Sequence, residues 1–329
     1  MSGTEPSHVV ALSGGIGGAK LALGLSRVLP PQHLTIVANT GDDFEHLGLS
    51  ISPDIDTLMY TLAGVNNQEA GWGRRDETWT FMRVLRELGG DDWFNLGDGD
   101  LAVHVERTRR LRSGDRLTDI TSDFCRASGV PCEVLPMSDQ PVRTIVDTID
   151  GPLPFQDYFV RLQCEPRIQG ITFAGADDAQ PPPEVLSALR DPRLRAVIIC
   201  PSNPLISIDP ILSVPGLRRA IAECPAPVVA VSPIVDGRAL KGPTAKMLQE
   251  LGVSASAASV ADHYGDLLDA FVVEATDLPD SEGAGSSCEW HVAKTIMQTM
   301  ADREDLARAV LLIADQVRPK SIQRKVTAQ

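Results

Sequence analysis

The sequence predicts an α/β protein, a Rossmann-like three-layer core with a mainly parallel sheet and a helical insertion. Three observations predict it. Short unbroken apolar runs recur along the chain, HVVALS, LTIVA, CEVLP, AVIIC and VVAVS, each ending in a polar or glycine-rich turn. Runs of about five apolar residues fit strands covered on both faces, the condition of a parallel sheet between helical layers. Stretches with helical spacing separate the runs, and the first run, from His8 to Leu25 (HVVALSGGIGGAKLALGL), breaks into glycines and resumes as a helix. A chain of 329 residues with 43% hydrophobic and 22% charged residues can bury a large core. One domain is expected over 1–329, with its core at about 8–43 and 130–275, the insertion at about 44–129 and a closing helical segment at about 290–318.

The glycine stretch organises the rest. Gly14, Gly15, Gly17 and Gly18 let backbone approach a ligand, and the amides opening the next helix suit an anion such as phosphate. Neither G-x-G-x-x-G nor G-x-x-x-x-G-K-[ST] is matched, because Lys20 follows Gly18 by two residues with no Ser or Thr behind it. Taken alone, the loop is equally a phosphate cradle or a turn packing helix tightly on sheet. Of only six lysines, Lys20, Lys241 and Lys246 fall in glycine-containing stretches, an arrangement expected of a cradle.

The second strand, Leu34–Ala38, ends in Asn39-Thr40-Gly41-Asp42-Asp43. Later strands are expected at Cys132–Pro136, Ala196–Cys200, Val228–Ser232 and Asp269–Glu274, followed where they end by Met137-Ser138-Asp139, Pro201-Ser202-Asn203 and Pro233. Parallel neighbours would bring all these polar tips to one rim, where open α/β sheets bind ligands. In the insertion, Asp54 is a candidate helix cap and Asp56 lies in the first turn of LMYTLAGV. With Asp42 and Asp43 on the opposing loop, these acids would repel one another near a phosphate unless a magnesium ion took their oxygens, so Asp42, Asp43 and Asp54 are candidate metal ligands.

Next come GWGRRDETW, a helix expected from Glu77, and Trp79 as a core residue. His104 follows Asp100 by four residues on one helix, and Arg107, Arg109, Arg110 and Arg112 are read as a solvated face. VRTIVDT, FQDYFVRLQ and IQGITFAG are expected to be extended. The span 275–287 reads as a flexible loop and the tail beyond Pro319 as frayed.

Composition excludes several classes. A formal charge of −14 opposes general binding to nucleic acid or anionic lipid. No apolar run is long enough to span a bilayer, and MSGTEPSH lacks the regions of a signal peptide, so a cytoplasmic protein is expected. Six scattered cysteines with no C-x-x-C pair are expected to be reduced and mostly buried.

SGGIGGAK, NTGDD, ISPDIDT, GWGRRDETW, LGDGD, PMSD, PSNP and VSPI, in that order over residues 8 to 275, resemble the 2-phospho-L-lactate transferase family. The resemblance implies a Rossmann-like fold and a place in coenzyme F420 biosynthesis. A phospholactyl-type group would pass from a guanosine diphosphate donor to the side-chain hydroxyl of the deazaflavin Fo, with release of GMP and with magnesium as cofactor. It further implies that Asp56 and Asn95 contact Fo, and that Gly14, Gly15, Gly17, Gly18, Ser202 and Asn203 surround the guanosine diphosphate. Together with the loop reading, Lys20 would hold the diphosphate, and Asp56 would be the catalytic residue orienting the Fo hydroxyl. The chain has LGDGDLAVH where the family pattern is LGDRDLATH, so Gly99 and Val103 depart from it. The partners expected are these small molecules, with a homodimer as the default assembly. Two other classes stay open: a nucleotide-sugar-binding regulator on the same fold, without catalysis, and an ordinary dehydrogenase, for which the glycine spacing is wrong.

Overall fold

In the computed structural model, which describes residues 7–69, 71–239, 242–279 and 288–320, seven parallel strands form the central sheet. They are β1 (His8–Ser13), β2 (Leu34–Ala38), β3 (Glu133–Pro136), β4 (Leu194–Ile199), β5 (Val228–Val231), β6 (Ala270–Val273) and β7 (Glu289–Val292). Their order in space is β7-β6-β5-β4-β1-β2-β3, all pairs parallel. The chain steps outward from β1 in both directions, so a crevice opens beyond the carboxyl ends of β1 and β4.

The apolar runs supply both covering layers because alternate residues face opposite ways. In β1, Val10 and Leu12 join one core while Val9 and Ala11 join the other. The second core is closed by helices α1 (Gly15–Val28) and α2 (Pro53–Leu62) and by the last helix, Met300–Gln316. At Gly24 a Cβ would lie 2.2 Å from the Arg303 carbonyl oxygen, so α1 and the last helix touch backbone to side because that position is glycine.

All six strands expected for the sheet match the runs closely, but a seventh, β7, corrects the sequence reading. Glu289–Val292 lies in the stretch expected to be the closing helical segment, and that helix begins only at Met300. Thr299 accepts from the Asp302 amide while Asp302 accepts from that of Thr299, a capping box that fixes the start.

The insertion opens on a hairpin, Phe44–His46 with Leu49–Ile51, rather than on a helix. Its turn residues Leu47 and Gly48 both have positive φ, 52° and 71°. Then follow α3 (Thr80–Glu87), α4 (Asp98–Arg112) and α5 (Leu117–Ala127). The helix expected from Glu77 starts three residues later because Glu77 is engaged elsewhere. Its carboxylate accepts from the Gly99 and Asp100 amides at 2.7 and 2.8 Å, capping α4, while Asp98 caps α3 by accepting from the Thr80 and Phe81 amides.

Strands Arg143–Thr148, Gly151–Pro154 and Ile168–Ala174 form an antiparallel sheet over the other core. FQDYFVRLQ, expected to be extended, instead coils into a π-helical turn at Asp157–Arg161. Phe155 and Phe159, four residues apart, stack with centroids 5.3 Å apart, and Tyr158 is buried, which is the spacing of a helical turn. Cys125, Cys132, Cys200 and Cys224 are buried and Cys164 and Cys288 half-buried. Among the described residues no helix is long and apolar enough to cross a membrane. The span 280–287 and residues from 321 onward, which include most of the expected loop and tail, lie outside the described residues.

Candidate active site

A cavity of about 570 Å³ occupies the crevice between β1 and β4, a size suited to a cofactor-sized ligand. Gly14, Gly15 and Gly17 from the β1 tip line it, as do Asp42 from the β2 tip, Pro201, Ser202 and Asn203 from the β4 tip, and Pro233 from the β5 tip. Asp54, Asp56 and Tyr60 of α2 form one wall, Asp100 and His104 of α4 another, and Trp72, Phe94 and Asn95 close the insertion side. Glycine at the start of the chain and Asp56 therefore open onto one space.

The β3 tip is the exception among the expected polar tips. It sits at the sheet edge, and Asp139 accepts from the Thr118 amide and hydroxyl at the start of α5, at 2.8 Å each. PMSD is a helix cap, away from the cavity.

The glycines act in two ways. Gly15, with φ +63°, donates its amide to Asp54 Oδ1 at 2.6 Å. The Gly14 amide reaches Ser202 Oγ at 3.2 Å, and that hydroxyl donates back to the Gly14 carbonyl at 2.8 Å. These two amides are thus spent within the protein, and the first-turn amides of Ile16 and Gly17 are those left without helical partners at the cavity. A Cβ on Gly17 would lie 2.4 Å from the Pro201 carbonyl oxygen, and one on Gly18 would strike the Ser13 and Ser202 hydroxyls. Gly18 does not line the cavity; it seats the helix on the β4 loop. Asn203 turns its Oδ1 to the Leu205 amide at 2.9 Å.

Lys20 lines the cavity and its Nζ donates to the Met297 carbonyl at 3.1 Å. Lys246 corrects the expected lysine cradle, since it pairs with Glu250 at 2.7 Å and reaches the Pro166 carbonyl, off the cavity lining. Lys241 lies outside the described residues.

The acids are unusual in their burial. Asp42, Asp43, Asp54 and Asp56 are each less than 8% exposed. Burial pushes the Asp42 carboxyl well above the ordinary range, reinforced by the charges of Asp54 and Asp43. Burial likewise raises Asp43 to about 7, against the opposing pull of Arg143, Arg107 and the Ser52 hydroxyl. Asp54 rises to about 6 by burial, offset by its bonds from Asn39 and the Gly15 amide. Asp42 Oδ1 and Asp43 Oδ1 are buried without a hydrogen-bond partner. An unpartnered carboxylate oxygen is a donor a hard divalent cation can take, but both Asp54 oxygens are engaged, by the Gly15 amide and Asn39. Among the described residues Asp42, Asp43 and Asp54 do not form a three-ligand group, so of their oxygens only Asp42 Oδ1 stands open to a cation at the cavity. Asp42 and Asp54 face the cavity, whereas Asp43 lies behind it and holds the Ser52 hydroxyl at 2.9 Å.

A second group was not anticipated as a unit. Asp56, Asp100 and His104 bring potential ligand atoms within 4.8 Å of one another. Tyr60 donates its hydroxyl to Asp100 Oδ1 at 2.5 Å, and His104 Nε2 lies 3.3 Å from Asp100 Oδ2. Although burial acts to raise Asp100, the contacts from His104, Tyr60 and Arg107 bring it below the ordinary carboxylate value. Arg107, read from sequence as part of a solvated face, is instead 1% exposed and grips both oxygens of Asp56, Nη1 to Oδ2 at 3.0 Å and Nη2 to Oδ1. The signal was present: Asp100, His104 and Arg107 stand four and three apart, one face of α4. Arg109 does fit the solvated reading and pairs with Glu106, whereas the half-buried Arg110 pairs with Asp115 and Asp123, and the exposed Arg112 reaches the Gly48 carbonyl.

Trp72 lines the cavity and meets Trp79 edge to face at 6.5 Å. Trp79, expected in the core, is 43% exposed at the start of α3. Asn95 lines the cavity mouth and accepts from Arg86 at 3.1 Å. Beside Gly99, Arg74 stacks over the Tyr60 ring at 5.4 Å, and its Nε lies 3.3 Å from where a Gly99 Cβ would be. A guanidinium from the facing loop thus occupies the space beside the position where the family pattern carries arginine.

The sequence model of the 2-phospho-L-lactate transferase CofD family matches residues 9–314. A phosphoenolpyruvate transferase of Kitasatospora aureofaciens is 41% identical over 321 residues, covering 94% of this chain and 99% of that protein. A 2-phospho-L-lactate transferase of Methanosarcina mazei is 36% identical over 306 residues, covering 92% and 99%. A solved UPF0052-family protein of Bacillus halodurans, 17% identical, superposes with a TM-score of 0.60 over 93% of this chain and 99% of its own, a likeness of fold.

Proposed function

Since the chain belongs to the 2-phospho-L-lactate transferase CofD family, a family of transferases, we propose that it moves a phospho-acid group from a guanosine diphosphate-linked donor to the side-chain hydroxyl of Fo in coenzyme F420 biosynthesis. The observation that carries this reading is the meeting of the first-turn amides of Ile16 and Gly17 with Asp56 on one cavity. An anion site and a fixed carboxylate are what an in-line phosphoryl-type transfer to an alcohol needs.

In this reading the Fo hydroxyl oxygen forms a bond to the phosphorus bearing the acid. The bond from that phosphorus to the GMP oxygen breaks, and GMP leaves with the electron pair. Ile16 and Gly17 amides and Lys20 hold the diphosphate. Asp56 accepts a hydrogen bond from the hydroxyl, sets its approach and takes its proton as the bond to phosphorus forms, and Trp72, Phe94 and Asn95 hold the deazaflavin end. Asp42 and Asp54, backed by Asp43, would hold magnesium, which when bound would neutralise charge on the diphosphate.

Several relatives bearing the name phosphoenolpyruvate transferase are 40% to 42% identical, against 35% to 36% for the 2-phospho-L-lactate transferases of Methanosarcina. This supports phosphoenolpyruvate over 2-phospholactate and 3-phosphoglycerate as the acid on the donor. A cytoplasmic homodimer completes the proposal. The test is to incubate the protein with Fo, magnesium, GTP, a donor-making enzyme and each acid in turn, and to weigh the product. A phosphoenolpyruvyl adduct of Fo supports the reading; nucleotide-sugar binding without any adduct would favour a non-catalytic regulator.

A further inference from the structure

We propose that Arg107 is a positioning residue that fixes the aim of Asp56 into the cavity and, through the same guanidinium, sets the tautomer of His104. What Asp56 does there rests on the transferase reading; the geometry does not.

Arg107 lies inside the helical layer, 1% exposed, and none of its length reaches the cavity lining. Its two terminal nitrogens take the two oxygens of Asp56, the forked arrangement that holds a carboxylate in one plane where a single ammonium would let it rotate. The remaining lone pairs of Asp56, which lines the cavity, are then directed by Arg107.

The same Nη1 lies 3.3 Å from His104 Nδ1. An arginine has donors and no acceptor. His104 Nδ1 must therefore present its lone pair to Arg107, which leaves the hydrogen on Nε2, the atom 3.3 Å from Asp100 Oδ2. His104 lines the cavity and is 1% exposed, and its Nε2, near Asp100 but without a hydrogen-bond partner, is a buried donor open to an entering ligand. A nitrogen carrying hydrogen does not ligate a metal. In this tautomer His104 offers a donor at Nε2 while Arg107 holds Nδ1, so a cation entering among Asp56, Asp100 and His104 would have to displace that hydrogen.

The test uses the full chain, labelled with ¹⁵N, with Arg107→Met and Arg107→Lys. Histidine ¹⁵N spectra of the wild type, assigned with His104→Gln, should show His104 with hydrogen on Nε2 and an unprotonated Nδ1, and Arg107→Met should remove that bias. In the transferase assay Arg107→Met should lower kcat by about 100-fold, the cost of a misplaced group, while the KM for Fo changes by less than about threefold. Arg107→Lys, which keeps the charge and loses the fork, should recover the thermal midpoint but less than about a tenth of kcat. Hydrogen on Nδ1 in the folded wild type overturns the proposal, and so does a lysine variant with full kcat. If Arg107→Met does not fold, the wild-type tautomer and the lysine variant still decide. A wild type that transfers nothing to Fo would sink the functional reading, while the spectra would still judge the positioning role.

Discussion

Replacing Asp43 by asparagine tests the electrostatic cost of the buried acids. Asp43 is 7% exposed and is raised from 3.8 to about 7, first by burial. A carboxyl raised on folding binds its proton more tightly in the folded chain, so its penalty is absent below about pH 4 and grows as pH rises towards 7. At about 1.4 kcal/mol per pKa unit, the rise sets a ceiling of about 4 kcal/mol at pH 8. Water entry and relaxation of neighbouring acids reduce this, and we expect about 1 to 3 kcal/mol. Asparagine keeps an acceptor for the Ser52 hydroxyl, which Asp43 now holds at 2.9 Å, so little packing is lost. Denaturant melts in EDTA should show Asp43→Asn more stable than the wild type at pH 8, with the difference reduced to about a third at pH 5. Added magnesium should stabilise the wild type more than the variant, because a bound cation offsets the repulsion. Equal stability differences at pH 5 and pH 8, or a variant destabilised at both, would refute the reasoning.

Three further outcomes follow from the same geometry. Asp56→Asn leaves the buried Arg107 guanidinium without its counter-charge, so it should lower the thermal midpoint and, in the folded fraction, lose at least about 100-fold in turnover measured with saturating Fo and donor; near-normal turnover removes Asp56 from the reaction. Gly17→Ala drives a methyl to 2.4 Å from the Pro201 carbonyl oxygen, and should cost about 1 to 3 kcal/mol in denaturant melts while weakening donor binding. Trp72→Ala removes a cavity wall that is 47% exposed; it should raise the KM for Fo about tenfold with little change in thermal midpoint, as titrated by Fo fluorescence.

The strands and the rim were legible because apolar runs buried on both faces leave few alternatives: LTIVA and VVAVS cannot present a polar side to water. β7 was not legible, since EWHV is an edge strand with its residues partly exposed and no apolar run to mark it. Lys20, Asp42, Asp54, Asp56, Asn95, Ser202 and Asn203 all reach the cavity. Most departures arise because side chains or amides are claimed by distant partners that local patterns do not contain, Lys246 being the exception with a partner one helical turn away. Asp139 is claimed by α5, Lys246 by Glu250, the Gly15 amide by Asp54, and Arg107 by Asp56 from 51 residues away. For Arg107 the helical spacing to Asp100 and His104 was visible, but charge composition alone places arginines in water.

The most direct measurement is a structure of the protein with Fo and a non-transferable guanosine diphosphate-linked analogue bound together. The account predicts the diphosphate on the Ile16 and Gly17 amides and the Fo hydroxyl within hydrogen-bonding reach of Asp56, beside the same phosphorus. Fo bound away from Asp56, or the two ligands in separate cavities, would contradict it.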